Sequence, residues 1–194
     1  MMGETYQSEE IFDKLDLKIK PLAKGTYEDC TFKSCNLEQA DLAHINFTDC
    51  EFIECNLSMA NISDTKFQNI KFKGCKMLGL RFDHCNKFGF EVNFETCILD
   101  HSSFFNTSVI SSVFKESSLV EVDFTDCDLT NSAFINSNLL NAVFERTNLS
   151  KADLRDAENF SIDPELNTIK KAKFSIHGVA GLLHKYDIQI SLES

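Results

Sequence analysis

Residues 117–156 read SSLVE VDFTD CDLTN SAFIN SNLLN AVFER TNLSK ADLRD when written in groups of five. The third place of every group is Leu or Phe: Leu119, Phe124, Leu129, Phe134, Leu139, Phe144, Leu149 and Leu154. The first place is always small: Ser117, Val122, Cys127, Ser132, Ser137, Ala142, Thr147 and Ala152. A period of five fits neither the 3.6 of an α-helix nor the 2.0 of a strand.

Toward the N-terminus the series continues through Phe114, Val109, Phe104 and Leu99 to Phe94. A second block, displaced by two residues, runs Leu22, Tyr27, Phe32, Leu37, Leu42, Phe47, Phe52, Leu57, Ile62, Phe67, Phe72, Met77 and Phe82. All 26 centres are apolar in a chain that is 43% hydrophobic, which chance would produce on the order of 10⁻¹⁰ of the time. The residue two places earlier is small in 22 of the 26, the exceptions being Lys20, Ile45, Ile70 and Leu80. In extended chain these two positions point the same way. Two inward residues followed by a corner describe a chain that turns a right angle every pentad, so four pentads close a square coil of 20 residues. Coils stacked at strand spacing, about 4.8 Å, put Cys35, Cys55 and Cys75 in one column and Cys30 and Cys50 in another. Phe94, Phe114 and Phe134 then share one face, and Phe104, Phe124 and Phe144 the opposite one. About six and a half coils give a rod roughly 30 Å long.

Tracts such as Cys35-Asn36-Leu37-Glu38-Gln39, Ala40-Asp41-Leu42-Ala43-His44 and Ala152-Asp153-Leu154-Arg155-Asp156 resemble the A(D/N)LXX unit of the pentapeptide-repeat family. The resemblance implies an all-β solenoid, a right-handed quadrilateral parallel β-helix of about 6–7 coils with a short helical C-terminal cap. The expected organisation is an N-terminal cap or partial coil over residues 1–19, the repeat over 20–158 with a two-residue offset near 86–91, and a capping and dimerisation segment over 159–194.

Composition constrains the chemistry. The chain has 194 residues, 8 Cys, 18 Phe, no Trp, 7 Gly, 2 Pro and a formal charge of −11. Average usage would give about 14 Gly and 10 Pro, so its turns are made without the usual turn residues. All eight cysteines, Cys30, Cys35, Cys50, Cys55, Cys75, Cys85, Cys97 and Cys127, fall two residues before a pentad centre or its continuation. They read as packed, reduced thiols. No CxxC, HxxxH, phosphate-binding Gly-rich loop or GxSxG elbow occurs, so no metal, cofactor or enzymatic activity is expected. No run approaches the roughly 18 apolar residues of a membrane span, and the first ten residues are acidic, which makes the cytoplasm the expected location. Direct binding of nucleic acid or membrane is not expected from so acidic a chain.

Three surfaces are candidates for binding. Residues 92–150 carry Glu95, Asp100, Glu116, Glu121, Asp123, Asp126, Asp128 and Glu145 against Lys115 and Arg146; Asp100, Glu116, Glu121, Asp123, Asp126, Asp128 and Glu145 are the candidate partner-binding acids. Residues 66–87 form the reverse, a basic belt of Lys66, Lys71, Lys73, Lys76, Arg81 and Lys87 against Asp83. The offset, Asn86-Lys87-Phe88-Gly89-Phe90-Glu91, is either a corner insertion or a projection that contacts a partner.

After Leu154 the apolar pentads stop. Asp163-Pro164 reads as a helix start. From Ser175, Ile176, Val179, Leu182, Leu183 and Tyr186 follow helical spacing, and Ile188-Gln189-Ile190-Ser191-Leu192 alternates like a strand. Together Ile176, Val179, Leu182, Leu183, Tyr186, Ile188 and Ile190 are expected either to cap the rod or to form a dimer interface. The order of rod, Ile-Asp-Pro-Glu-Leu-Asn segment, amphipathic helix and final strand is similar to that of the Qnr-type quinolone-resistance and microcin-immunity branch of the family. That likeness implies a C-terminal homodimer, a non-enzymatic acidic rod that mimics DNA, and DNA gyrase or topoisomerase IV as partner, with antibiotic or toxin protection as the outcome. The long loops of many Qnr-type proteins are missing. The alternative is a β-helical interaction scaffold with an unrelated partner.

Overall fold

The computed structural model describes residues 5–191. Its order comes from register. Every strand pair is parallel, and partners lie 20 residues apart, as in Phe32↔Phe52 and Phe114↔Phe134. Across the offset alone the step becomes 22, as in Phe72↔Phe94, and it returns to 20 above it. Each pentad therefore sits on the pentad one coil below, and four faces result.

The first face holds β1 (Thr5–Ser8), β3 (Gly25–Glu28), β5 (Asn46–Thr48) and β7 (Lys66–Gln68), paired in that order. The second face is a nine-stranded ladder of β2 (Ile11–Asp13), β4 (Thr31–Lys33), β6 (Glu51–Ile53), β8 (Ile70–Lys73), β9 (Val92–Glu95), β10 (Val113–Lys115), β11 (Ala133–Ile135), β12 (Asp153–Leu154) and β13 (Lys173–Phe174). The third and fourth faces are held by single bridges such as Asn36↔Asn56 and Ser103↔Asp123. Nine levels on the second face make about eight coils, hence a rod of about 38 Å.

The expected six to seven coils are thus an undercount, and the repeat does not stop at Leu154. Positions 159 and 164 would be the next centres and hold Asn and Pro, which breaks the apolar count. The backbone ladder continues regardless, through Asn138↔Glu158, Asn148↔Thr168 and Leu154↔Phe174. Phe160 and Ile162 fill the axis in their place, at 5% and 1% exposure.

The axis is a column of aromatic rings. Phe72, Phe94, Phe114 and Phe134 stack with centroids 5.4, 5.1 and 4.9 Å apart, and Phe104 and Phe124 meet Phe114 edge-on at 6.0 Å. Offset-stacked and edge-to-face rings are the favoured geometries of the aromatic quadrupole. Below the offset the aromatic columns occupy adjacent faces, with Tyr27, Phe47 and Phe67 beside Phe32, Phe52 and Phe72. Above it they occupy opposite faces.

The small inward residue does a second job. Thr65 Oγ1 donates to the Leu42 carbonyl at 2.9 Å, Ser132 Oγ to Val109 at 2.7 Å, and Thr147 Oγ1 to Phe124 at 2.8 Å. Cysteine fills the same role through its weaker S–H donor: Cys55 Sγ lies 3.3 Å from the Phe32 carbonyl and Cys75 Sγ 3.3 Å from that of Phe52. All eight cysteines are buried and free. Among the described residues no buried side-chain N or O lacks a hydrogen-bond partner.

Corners explain the scarcity of glycine. The last residue of most pentads is left-handed: φ is 52° at Asp29, 51° at Ser34, 56° at Gln39 and 61° at Lys151. This region costs a non-glycine residue about 1–2 kcal/mol. Each corner is offset by an added ladder bond, since Asp29, Ser34 and Gln39 donate their N–H to the carbonyls of Thr48, Ile53 and Ser58 in the coil above, at 3.1, 2.8 and 2.9 Å respectively. Stacking replaces the turn residue.

The C-terminal segment departs from expectation. Asp163-Pro164 begins a turn, not a helix; Asp163 Oδ1 accepts the Glu165 N–H at 2.8 Å. The segment after Ser175 forms two 3-10 turns, Gly178–Leu182 and His184–Tyr186, in place of an α-helix. The reason is close contact: a Cβ on Gly181 would lie 2.4 Å from the Phe160 carbonyl oxygen, and the Gly181 carbonyl accepts the Ile162 N–H at 3.0 Å. A carbonyl given to the rod is lost to a helical ladder. Residues 187–191 carry no strand; Leu192, the last of the expected strand, lies outside the described residues.

Candidate interaction surfaces

Assigning each pentad to its face resolves the charge. The fourth-face pentads carry Asp41, Asp64, Asp83, Asp123, Asp126, Glu145, Asp163 and Glu165 against Lys20, Lys24, Arg81 and Arg146. The third carries Asp16, Glu38, Asp100, Glu121 and Glu158 against Lys18 and Lys76. The first and second faces are close to balanced; the second has Glu51, Glu54, Glu95, Glu116, Asp153 and Asp156 against Lys33, Lys71, Lys73, Lys115, Arg155 and Lys173 from residue 30 onward. Of the seven candidate acids, Asp123, Asp126 and Glu145 lie on the fourth face and Asp100 and Glu121 on the adjacent third. Glu116 lies on the second and Asp128 on the first.

Several of these carboxylates also serve the backbone. Asp123 Oδ1 accepts the Thr125 N–H at 2.9 Å, and Asp128 Oδ1 accepts the Thr130 N–H at 3.0 Å and its hydroxyl at 2.6 Å. Asp100 Oδ1 accepts the Ser118 hydroxyl at 2.6 Å and the Val120 N–H at 3.0 Å. Asp126 is held by both nitrogens of the Arg146 fork, at 2.6 and 2.8 Å, and this hydrogen-bonded guanidinium lowers its carboxyl pKa. Glu121 faces His101 at 3.1 Å. On the fourth face Asp123 has no ion pair among the described residues, and Glu145 has a single long one to Arg146 at 3.7 Å.

The offset is a loop with a buried foot and an exposed tip. Lys87 stands where a centre belongs and is turned out, its Nζ donating to the Asn106 carbonyl at 2.6 Å. Phe90 takes the vacated place, packing on the core and edge-on to Phe82 at 6.2 Å. Phe88 is 80% exposed, with Lys66 Nζ 6.0 Å from its ring centre. Asn86 bridges to Lys66 below and its Oδ1 accepts the Phe88 N–H at 3.0 Å; Gly89 turns the tip at φ 68°. Glu91 is exposed and rejoins the ladder, donating to the Phe67 carbonyl.

At the C-terminal end Leu182 packs on the core and Leu183 is half-buried. Ile176, Val179, Tyr186, Ile188 and Ile190 are exposed. Lys185 clasps the segment to the rod, 2.8 Å from Asp163 and 2.7 Å from Glu165, and the Tyr186 hydroxyl donates to Glu165 at 3.1 Å. A cleft of about 630 Å³ lies beside it, with Leu140, Glu158, Phe160, His177 and His184 among its lining residues. Among the described residues no three His, Cys, Asp or Glu side chains converge on a metal-binding geometry, and no helix is long and apolar enough to cross a membrane.

Two family models fit this rod. The one described as "Pentapeptide repeat region" matches residues 26–87, and "Pentapeptide repeats (8 copies)" matches residues 127–158. Residues 26–87 and 127–158 are pentapeptide repeats. Solved structures of two trypsin-treated variants of QnrB1, a plasmid-mediated fluoroquinolone resistance protein, share the pentapeptide-repeat fold. One has a TM-score of 0.64 at 17% identity, covering 96% of this chain and 92% of that one. The other has 0.62 at 16%, covering 97% and 98%. At this identity the likeness is one of fold. No curated protein sequence matches the chain.

The pentapeptide-repeat register also shows what the linear sequence concealed. Asp163 and Glu165 continue the fourth-face columns of Asp123 and Glu145, and Glu158 extends the third face. Folding the acids by 20 residues beyond Leu154 would have found them.

Proposed function

We propose that this chain is an acidic interaction rod whose third and fourth faces bind the DNA-binding surface of a type II topoisomerase, DNA gyrase or topoisomerase IV, and protect it from a quinolone or a peptide toxin. The observation that carries the reading is the segregation of net charge: acids exceed cations by three on the third face and four on the adjacent fourth, against one on each of the other two. The fold shared with QnrB1, a fluoroquinolone resistance protein, supports it. Pairing of two rods through Ile176, Val179, Tyr186, Ile188 and Ile190 would cover the exposed apolar end and double the length of the acidic faces.

Magnitudes limit the mimicry. Duplex DNA carries one charge per about 1.7 Å of axis, so a 38 Å length holds about 22, twice this chain's −11. Steering and orientation by charge, screened by salt, are what such a rod can supply; tight binding needs contacts beyond charge. The basic belt at 66–87 interrupts the acidic surface and favours, as a second reading, a scaffold for an unrelated partner.

The test is gyrase supercoiling with purified protein, with and without a quinolone, across a salt series. Inhibition or protection that fades with salt supports the proposal. No effect and no binding at low salt would sink it.

A further inference from the structure

The offset loop is more than a repair. A regular pentad with an apolar residue at 87 would have closed this coil without insertion, as Met77 and Phe82 do just before it. The chain instead places Lys at the centre, adds two residues, and uses Phe90 to refill the axis while holding Phe88 in solvent. The backbone ladder of the first face lapses here as well: neither Lys87 nor Ser108 donates its N–H to a backbone carbonyl of the neighbouring coil. The same coil carries the cationic belt. Arg81 is neutralised by Asp83 at 2.7 Å and Lys73 shares Glu95 at 3.5 Å, but Lys66, Lys71, Lys76 and Lys87 have no ion pair among the described residues. Phe88 thus stands in solvent beside two ammonium groups without an ion pair among the described residues, Lys66 with its Nζ 6.0 Å from the ring and Lys87 next to it in the chain.

We propose that the Phe88 corner is a docking site for a short acidic protein segment with an apolar pocket or side chain that receives Phe88, the carboxylates pairing with Lys66 and Lys87. An aromatic anchor ringed by complementary charge is the usual composition of a binding hot spot. The height of the belt selects the partner class. It is about one coil, near 5 Å, with Asp64 one coil below Asn86, Asp49 one coil below Asn69 and Asp128 one coil above Ser108. A nucleic acid strand, charged at every nucleotide, would overrun it into those carboxylates, whereas a peptide places a few charges and an apolar group within that span. This site lies on the first face and its corner, apart from the acidic faces, and stands or falls independently of the topoisomerase reading.

The test is selection of a displayed dodecapeptide library on the full-length protein, with affinities of the winners measured by fluorescence anisotropy. The expected winners are acidic, contain apolar residues, and bind Phe88→Ala and Lys66→Gln at least tenfold more weakly, while both variants keep the wild-type melting curve. Basic winners, winners indifferent to both substitutions, or no winners would overturn the proposal. So would Phe88-dependent binding of a dT12 oligonucleotide, or Phe88-dependent self-association in sedimentation velocity, which would assign the corner to nucleic acid or to a second copy.

Discussion

Replacing Phe114 with alanine probes the aromatic axis where it is most regular. Phe114 is fully buried, stacked between Phe94 at 5.1 Å and Phe134 at 4.9 Å, and edge-on to Phe104 and Phe124 at 6.0 Å. Truncating a buried Phe costs about 3–5 kcal/mol, and each lost aromatic pair adds about 0.5–1.5 kcal/mol to burial alone. Little relaxation can refill the hole, because the coils above and below are pinned at ladder spacing by Phe94↔Phe114↔Phe134. The loss should therefore reach the upper end, about 5 kcal/mol. For a chain of this size that is a fall in Tm of about 10–20 °C. Urea and thermal unfolding followed by far-ultraviolet circular dichroism measure it, with Phe88→Ala as the exposed control, expected within about 0.5 kcal/mol of wild type. A Phe114→Ala loss below about 1.5 kcal/mol, or an equal loss for Phe88→Ala, would refute a rod held by its stacked rings.

Other outcomes follow from the same geometry. Thiol reagents should leave all eight cysteines of the native protein unmodified and label them on denaturation, since all eight are buried; rapid native labelling would contradict this. Thr147→Val leaves the Phe124 carbonyl short of its buried donor and should cost about 1–3 kcal/mol by urea titration, against almost nothing for Thr48→Val, where the residue is half-buried and its hydroxyl makes no hydrogen bond among the described residues. Arg155 hydrogen bonds depress the Asp153 carboxyl to about 2. Its folded-state value is below its unfolded one, so its small stabilisation is present above about pH 4 and lost as pH falls toward 2. Arg155→Gln should flatten the acid limb of the stability curve in that window. Lys185→Ala should speed amide exchange across residues 176–191 without changing exchange in β10 or β11.

The pentad phase was readable because a solenoid converts position in sequence into direction in space: third place inward, first place inward and small. Phe94, Phe114 and Phe134 could be stacked on paper for that reason. Asn159 and Pro164 hid the final coil, since apolarity marks the axis only while the axis is filled from the third place. Backbone pairing, which makes the coil, is indifferent to the side chain. The α-helix expected after Ser175 failed on Gly178 and Gly181. Their lack of a Cβ lets the segment lie against Phe160 and give the Gly181 carbonyl to the Ile162 N–H, a tertiary contact that helical spacing cannot report. The acidic surface was visible as a count but not as a face. Glu116 and Asp128 look equivalent to Asp123 along the chain, and only the 20-residue register turns them to other sides.

The central claim is that binding belongs to the acidic faces and not to net charge. Binding of purified gyrase to labelled protein at 50 and 300 mM salt should be compared for two variants of equal charge change. Asp123→Asn with Glu145→Gln alters the fourth face, and the Asn keeps the acceptor for the Thr125 N–H. Glu51→Gln with Glu116→Gln alters the second. The account predicts binding that weakens with salt, a loss of about tenfold or more for the fourth-face pair at low salt, and near wild-type affinity for the second-face pair. Equal losses from both pairs, or no binding by the wild type at 50 mM salt, would contradict it.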